Sequence, residues 1–222
     1  NTIMLNDALF ERVKAVYDKR KSLKLDQVQM RLLEKTYNDF VRSGALLEGE
    51  EKERLMKINA ELAELSIRFG NNLLAENAGF YLELNAQQVA DLPESLRKQA
   101  EEAAKAMCKE QCYVFTLDKP SMLPFLTHSK DRDLRRKLYD GYLMRGNNGN
   151  EFDNRQLVLD IMRLRIEKAQ IMGYKTPAAY ILEPKMAHDA ETVDAFLADI
   201  MEAAVAKAKG EVYDMQKLMD ED

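Results

Sequence analysis

A chain of 222 residues, 46% hydrophobic and 32% charged, is long enough to bury a sizeable core and has an ordinary globular balance. Its 33 Lys and Arg against 38 Asp and Glu give a net charge of -5, which lacks the basic footprint of a nucleic-acid binder. No apolar run approaches the roughly 20 residues needed to span a bilayer, so no membrane segment is expected.

Scarce punctuation, five Pro and nine Gly with no Trp, leaves room for long helices and predicts an all-α protein. Asn6 caps a first helix with Asp7 in its first turn, and Leu9, Val13, Val16 and Tyr17 form its apolar stripe. Asp26 and Gln29 make a capping-box pair for the second helix. Its buried face is read as Leu32, Leu33, Tyr37, Phe40 and Val41, with Gly44 at the C′ position.

The third helix, about 50–77, repeats apolar residues at Leu55, Ile58, Leu62, Leu65, Phe69 and Leu73, a spacing suited to shallow-angle helix packing. Ile67 and Leu74 widen that stripe beyond a coiled-coil seam, so a bundle helix is expected. Two short β-rich runs, 80–84 and 112–117, predict a minor antiparallel ribbon that must pack on helices to be stable. Between them Pro93 opens a helix running to about Lys109.

Pro120 and Pro124 punctuate a short helical turn, and Ser129 is read as the cap of a helix carrying Leu134, Leu138 and Tyr142 on one face. Gly146 stops that helix. Asp153 caps the next, which presents Leu157, Ile161, Leu164, Lys168 and Ile171 and stops at Gly173. Thr176-Pro177 starts a short helix, and Asp189 caps a last one with Val193, Phe196, Leu197, Ile200 and Ala204 pointing inward. No linker or low-complexity tract interrupts the chain, which predicts one helical domain over 1–222, a long-helix bundle with a minor ribbon.

The residues assemble no catalytic or metal-binding motif. His128 and His188 belong to no H-E-x-x-H pattern, and no phosphate loop or G-x-S-x-G elbow is present. Cys108 and Cys112, at i and i+4, could share a helix face, but without a nearby His they read as free thiols of a reducing compartment. Basic residues at 132–137 alternate with Asp131, Asp133 and Asp140, a solvated ion-paired face. No catalytic, cofactor or metal residue is therefore assigned.

The stretch 118–174 and its continuation to residue 187 carry KPSMLPFL, RRKLYDGYLMRG, NGNEFDN and LRIEKAQIMGYKTPAAYILEPKMA in an order and spacing that resemble the thimet-oligopeptidase family of zinc metallopeptidases. Upstream, LLEKTYNDFVRSGALLEGEEKERLMKINAELAELSIRFGNNLLAENAGFYLEL and LPESL extend the likeness to the whole chain. ALFERVKAVYD and RSGALL look closest to the dipeptidyl carboxypeptidase branch.

The resemblance implies an almost wholly helical channel wall in an enzyme that removes dipeptides from the C-termini of short peptides. Zinc would be held by H-E-x-x-H and a further Glu in a catalytic half of the same polypeptide. None of those ligands lies in this chain, which starts on NTIMLND and ends on helical QKLMDED. We therefore expect an N-terminal piece, inactive alone and without metal or cofactor of its own, from a cytoplasmic or periplasmic enzyme. An oligopeptidase A-like endopeptidase and a non-catalytic helical scaffold for peptides or a partner are the alternative readings. Arg145, Asn147, Asn150 and Asn154 are candidates to face the channel, because they cluster where a polar loop meets a helix start. The same residues could instead cap and hydrogen-bond the NNGNEFDN turn.

Overall fold

The computed structural model describes residues 2–221, and among them the chain forms nine helices and one two-stranded sheet. The fold is mostly α with a minor ribbon. The chain divides into two compact units, one holding everything up to Asn59 together with everything from Arg163 on, the other Ala60–Met162.

In the first unit, α1 (Asp7–Asp18) and α2 (Gln27–Arg42) pack side by side. Asn6 Oδ1 accepts the Leu9 N–H at 3.0 Å, and the Asp26–Gln29 capping box is complete. The buried seam is aromatic. Phe10 lies against Tyr37 and Phe40, and Tyr17 stacks on Tyr37 with ring centroids 3.8 Å apart. This shifts the buried face of α1 away from the expected stripe: Phe10 is central, whereas Leu9 and Val16 are exposed. On α2 Tyr37, Phe40 and Val41 join the cluster as expected, but Leu32 faces solvent. Gly44 follows α2 with φ +97, and a Cβ there would collide with Leu55.

The same unit holds α8 (Pro177–Leu182), capped by Thr176, whose side chain accepts from Ala179. Arg42 ties the end of α2 to this region. Its guanidinium donates to the Tyr174 hydroxyl, the Glu183 carboxylate and the Tyr180 carbonyl, while the Tyr180 hydroxyl donates to the Arg42 carbonyl. Asp189 caps α9 (Ala190–Glu221) by accepting the Thr192 N–H at 2.7 Å. The inward face expected for α9 is not inward. Phe196, Leu197, Ile200 and Ala204 are exposed and Val193 is half-buried, because α9 packs chiefly on the six-residue α8.

The second unit is built around the ribbon. Strand β1 (Tyr81–Leu84) pairs antiparallel with β2 (Tyr113–Thr116), with Leu82 opposite Phe115 and Leu84 opposite Tyr113. Helix α4 (Glu94–Ala106), with Pro93 as its N-cap rather than within its first turn, packs on β2. It ends short of Lys109, so Cys108 and Cys112 lie in the turn before β2 instead of on a helix face. Residues 87–91 form hydrogen-bonded turns. The segment with two prolines is one helix, α5 (Lys119–His128), with Pro124 inside it. Helix α6 (Arg132–Leu143) is capped by Asp131, which accepts from Leu134, not by Ser129, which ends α5. Leu84, Leu96, Phe115, Phe125, Leu134 and Leu138 are among the residues of the core that these elements enclose.

Two long helices, α3 (Gly49–Gly79) and α7 (Arg155–Ile171), contribute residues to both units. Leu55 and Ile58 are fully buried, and Leu62, Leu65, Phe69 and Leu73 are half-buried, so the expected stripe of α3 is the inward face. Ile67 and Leu74 are exposed and do not widen it.

Candidate functional site

The polar loop between α6 and α7 is organised by a carboxylate from α3. Glu76 is 8% exposed. Its Oε2 accepts the Gly146 N–H at 2.5 Å, and both its oxygens accept from the Asn148 amide, at 2.9 and 3.0 Å. The Asn150 amide reaches Oε1 at 2.7 Å. Burial pushes this carboxyl up, but Asn148, Gly146 and Asn150 outweigh that effect and hold it below its ordinary value. An ionised carboxylate at this depth is stable because its lone pairs are spoken for.

The sequence reading missed Glu76, although its place in the helix pattern held a signal that could have found it. Glu76 lies three residues beyond Leu73 on the same helix face, and a charged residue on a buried face needs partners. Asn72, three residues beyond Phe69, is the second polar residue on that face, and its amide donates to Asn154 Oδ1 at 2.9 Å.

The four candidates from the loop divide accordingly. Asn154 is buried, donates to the Phe69 carbonyl at 3.2 Å, and its backbone N–H donates to the Gly146 carbonyl at 2.7 Å. Asn150 is held between Glu76 and the N–H of Phe152. Asn147 is exposed. Arg145 is half-buried: its Nε donates to the Tyr142 carbonyl at 2.9 Å, and Nη1 donates to Asn77 Oδ1 at 3.0 Å. The guanidinium sits 3.8 Å above the Tyr142 ring.

Beside this loop lies an open cleft of about 470 Å³, with Phe80, Leu117, Met144 and Phe152 as its apolar side and Glu76, Asp140, Arg145, Asn148 and Asn150 as its polar side. Gly141 keeps the cleft wall thin, since a Cβ there would come within 2.5 Å of the Phe80 ring. At the loop's far end Asp153 accepts from the Arg155 side chain and backbone and from the Gly149 N–H. These bonds, those from Arg155 foremost, pull its carboxyl from 3.8 down to about 2.

In the first unit, Arg54 makes a two-pronged pair with Glu167, at 2.6 and 2.7 Å, which lowers that carboxyl. Neighbouring Lys168 donates to Asn59 Oδ1, and burial lowers its ammonium pKa. His128 ends α5 on the surface, and His188 takes a left-handed turn before α9 with Nδ1 3.2 Å from the Glu183 carbonyl. Cys108 is exposed and Cys112 half-buried, both free. Among the described residues, no three His, Cys, Asp or Glu side chains come together in a way that could hold a metal ion. The donors among the described residues therefore do not fit a zinc centre.

Residues 125–222 match peptidase family M3. The chain is 32% identical to the dipeptidyl carboxypeptidase of Escherichia coli over 99% of its own length and 32% of that protein's. It is 33% identical to oligopeptidase A of Haemophilus influenzae over 85% of the chain and 28% of that protein. The organellar oligopeptidase A of Arabidopsis thaliana is 32% identical over 81% of the chain and 23% of the relative. The chain thus spans a third or less of the length of these curated relatives.

Proposed function

Starting from a chain that is a relative of the M3 peptidases, we propose that it is the helical, non-catalytic region of a zinc-dependent peptidyl-dipeptidase. The observation that carries this reading is end-to-end similarity to a dipeptidyl carboxypeptidase, with only 32% of that relative covered. The enzyme would release dipeptides from the C-termini of short peptides, with zinc bound by residues outside these 222.

In this reading residues 1–222 act together as a wall of the substrate channel, and Arg145, Asn147, Asn150 and Asn154 lie on its substrate side. Asn150 and Asn154 serve chiefly to hold the loop, which supports Arg145 and exposed Asn147 as the residues that meet peptide. The uncovered apolar face of α9 is consistent with a further part of the same polypeptide, the catalytic half, packing there. A cytoplasmic setting fits the two free thiols.

The test compares the 222-residue chain with the whole reading frame that contains it, on blocked tetrapeptides with and without a zinc chelator. Chelator-sensitive release of C-terminal dipeptides by the whole protein alone supports the reading. Cleavage by the 222-residue chain, or a reading frame without H-E-x-x-H, overturns it. Internal cleavage of longer peptides would instead favour an oligopeptidase, a second reading that the similarity to oligopeptidase A supports.

A further inference from the structure

We propose that the cleft beside Arg145 is a receptor for the free carboxylate of an apolar ligand, namely the carboxyl-terminal residue of a short peptide. For the choice of a peptide over another apolar acid, the proposal rests on the peptidase reading above.

Arg145 is a half-buried cation whose partners are all neutral: the Tyr142 carbonyl, the Asn77 amide oxygen and the Tyr142 ring. Among the described residues no carboxylate forms an ion pair with it, and its Nη2 group makes no bond. Nη2 is not sealed in the interior either, because the residue lines the open cleft. Stacking and two hydrogen bonds fix the guanidinium plane in advance, so that Nη2 is presented in a set direction for a charge-assisted bond to a carboxylate.

The other charges on the cleft are committed. Glu76 accepts from Gly146, Asn148 and Asn150, four contacts over two oxygens, and has no remaining capacity for a ligand cation. Asp140 accepts from Arg136 at 3.3 Å in an exposed ion pair along α6. What remains available is one cationic donor group next to Phe80, Leu117, Met144 and Phe152. A cleft of about 470 Å³ suits a ligand the size of one or two residues. An apolar side chain in the cleft would exclude water from the ion pair and strengthen it.

The experiment titrates the isotopically labelled 222-residue chain with a blocked tripeptide ending in a free phenylalanine, with its carboxamide, and with N-acetyl-leucine. We expect the free acid to shift the resonances of Arg145, Gly141 and Phe80. The carboxamide should bind about tenfold more weakly, as for loss of one charge-assisted bond. Arg145→Gln should abolish the preference for acid over amide, and Arg145→Lys should retain part of it.

Equal binding of acid and amide, no binding of the acid, or shifts confined to residues outside the cleft would overturn the site. The acid–amide comparison on the unaltered chain decides this even if Arg145→Gln does not fold. Equal affinity for N-acetyl-leucine and the tripeptide would overturn the peptide as ligand. Because turnover is not measured, loss of the acid preference leaves the peptidase reading intact, and an inactive whole protein leaves the carboxylate site intact.

Discussion

Glu76 and Gly146 are 70 positions apart in the chain, and a side-chain oxygen of the first accepts the backbone N–H of the second. That bond, with the amides of Asn148 and Asn150, makes one α3 carboxylate the anchor of the whole α6–α7 loop. Glu76→Gln would place an amide NH₂ against at least one of these donors. We expect it to destabilise the fold by about 2 kcal/mol, the scale of hydrogen bonds to a charged group. Urea unfolding of the two proteins measures it, and an unchanged midpoint would refute the anchoring role.

Glu76 and Asp153 both ionise more readily in the folded chain than in an unfolded one. Their contribution is fully present above the ordinary values of 4.5 and 3.8 and is lost as the pH falls through the folded values. Stability should therefore decline below pH 4.5, with the Asp153 share fading towards about 2. Carboxyl resonances followed by NMR should show Asp153 titrating near 2; a midpoint at 3.8 would contradict the bonding seen at Arg155 and Gly149.

Gly141 touches Phe80 too closely for any side chain, with a Cβ placed 2.5 and 2.7 Å from two ring carbons. Gly141→Ala should cost about 1–3 kcal/mol as an overpacking change, despite the gain in helix propensity. Adding Phe80→Leu should recover part of the loss. A double-mutant cycle showing simple additivity would mean that the two residues do not meet.

Cys108 sits just past the end of α4 with φ 56, a left-handed conformation that disfavours a side chain. Cys108→Gly should raise stability by up to about 1 kcal/mol. Thermal unfolding under reducing conditions tests this, and a lower midpoint would show that the thiol side chain makes a contribution of its own.

What the sequence disclosed was whatever a few neighbouring residues decide. The caps at Asn6, Asp26, Thr176 and Asp189 each close a hydrogen bond to a backbone N–H three residues on, so residue type and spacing suffice. The ribbon was legible for a similar reason, since two β-rich runs flanked by helix had one economical partner each. Ser129 was the expected cap of α6, but the helix begins two residues later than that reading placed it, and Asp131 is the residue that accepts the Leu134 N–H.

Burial required knowledge of the partner. Phe10 outranks Leu9 and Val16 because the aromatics of α2 meet it. Periodicity alone cannot say whether the apolar side of α9 is covered. As nothing among the described residues buries Phe196, Phe196→Ser should change the stability of the 222-residue chain by no more than about 0.5 kcal/mol. A larger loss would reveal a contact.

The 32 residues of α9, resting chiefly on a six-residue neighbour, also predict an uneven pattern of amide hydrogen exchange. A helix without tertiary support is only marginally stable in water, and its amides open by local fraying rather than by global unfolding. Protection should be greatest where α9 leaves α8 and should fall steadily towards Met219, while the amides of Phe115 and Leu138 exchange only when their whole unit opens. Binding of any macromolecule along α9 would then be read as new protection in its second half, with slowed exchange marking the footprint residue by residue.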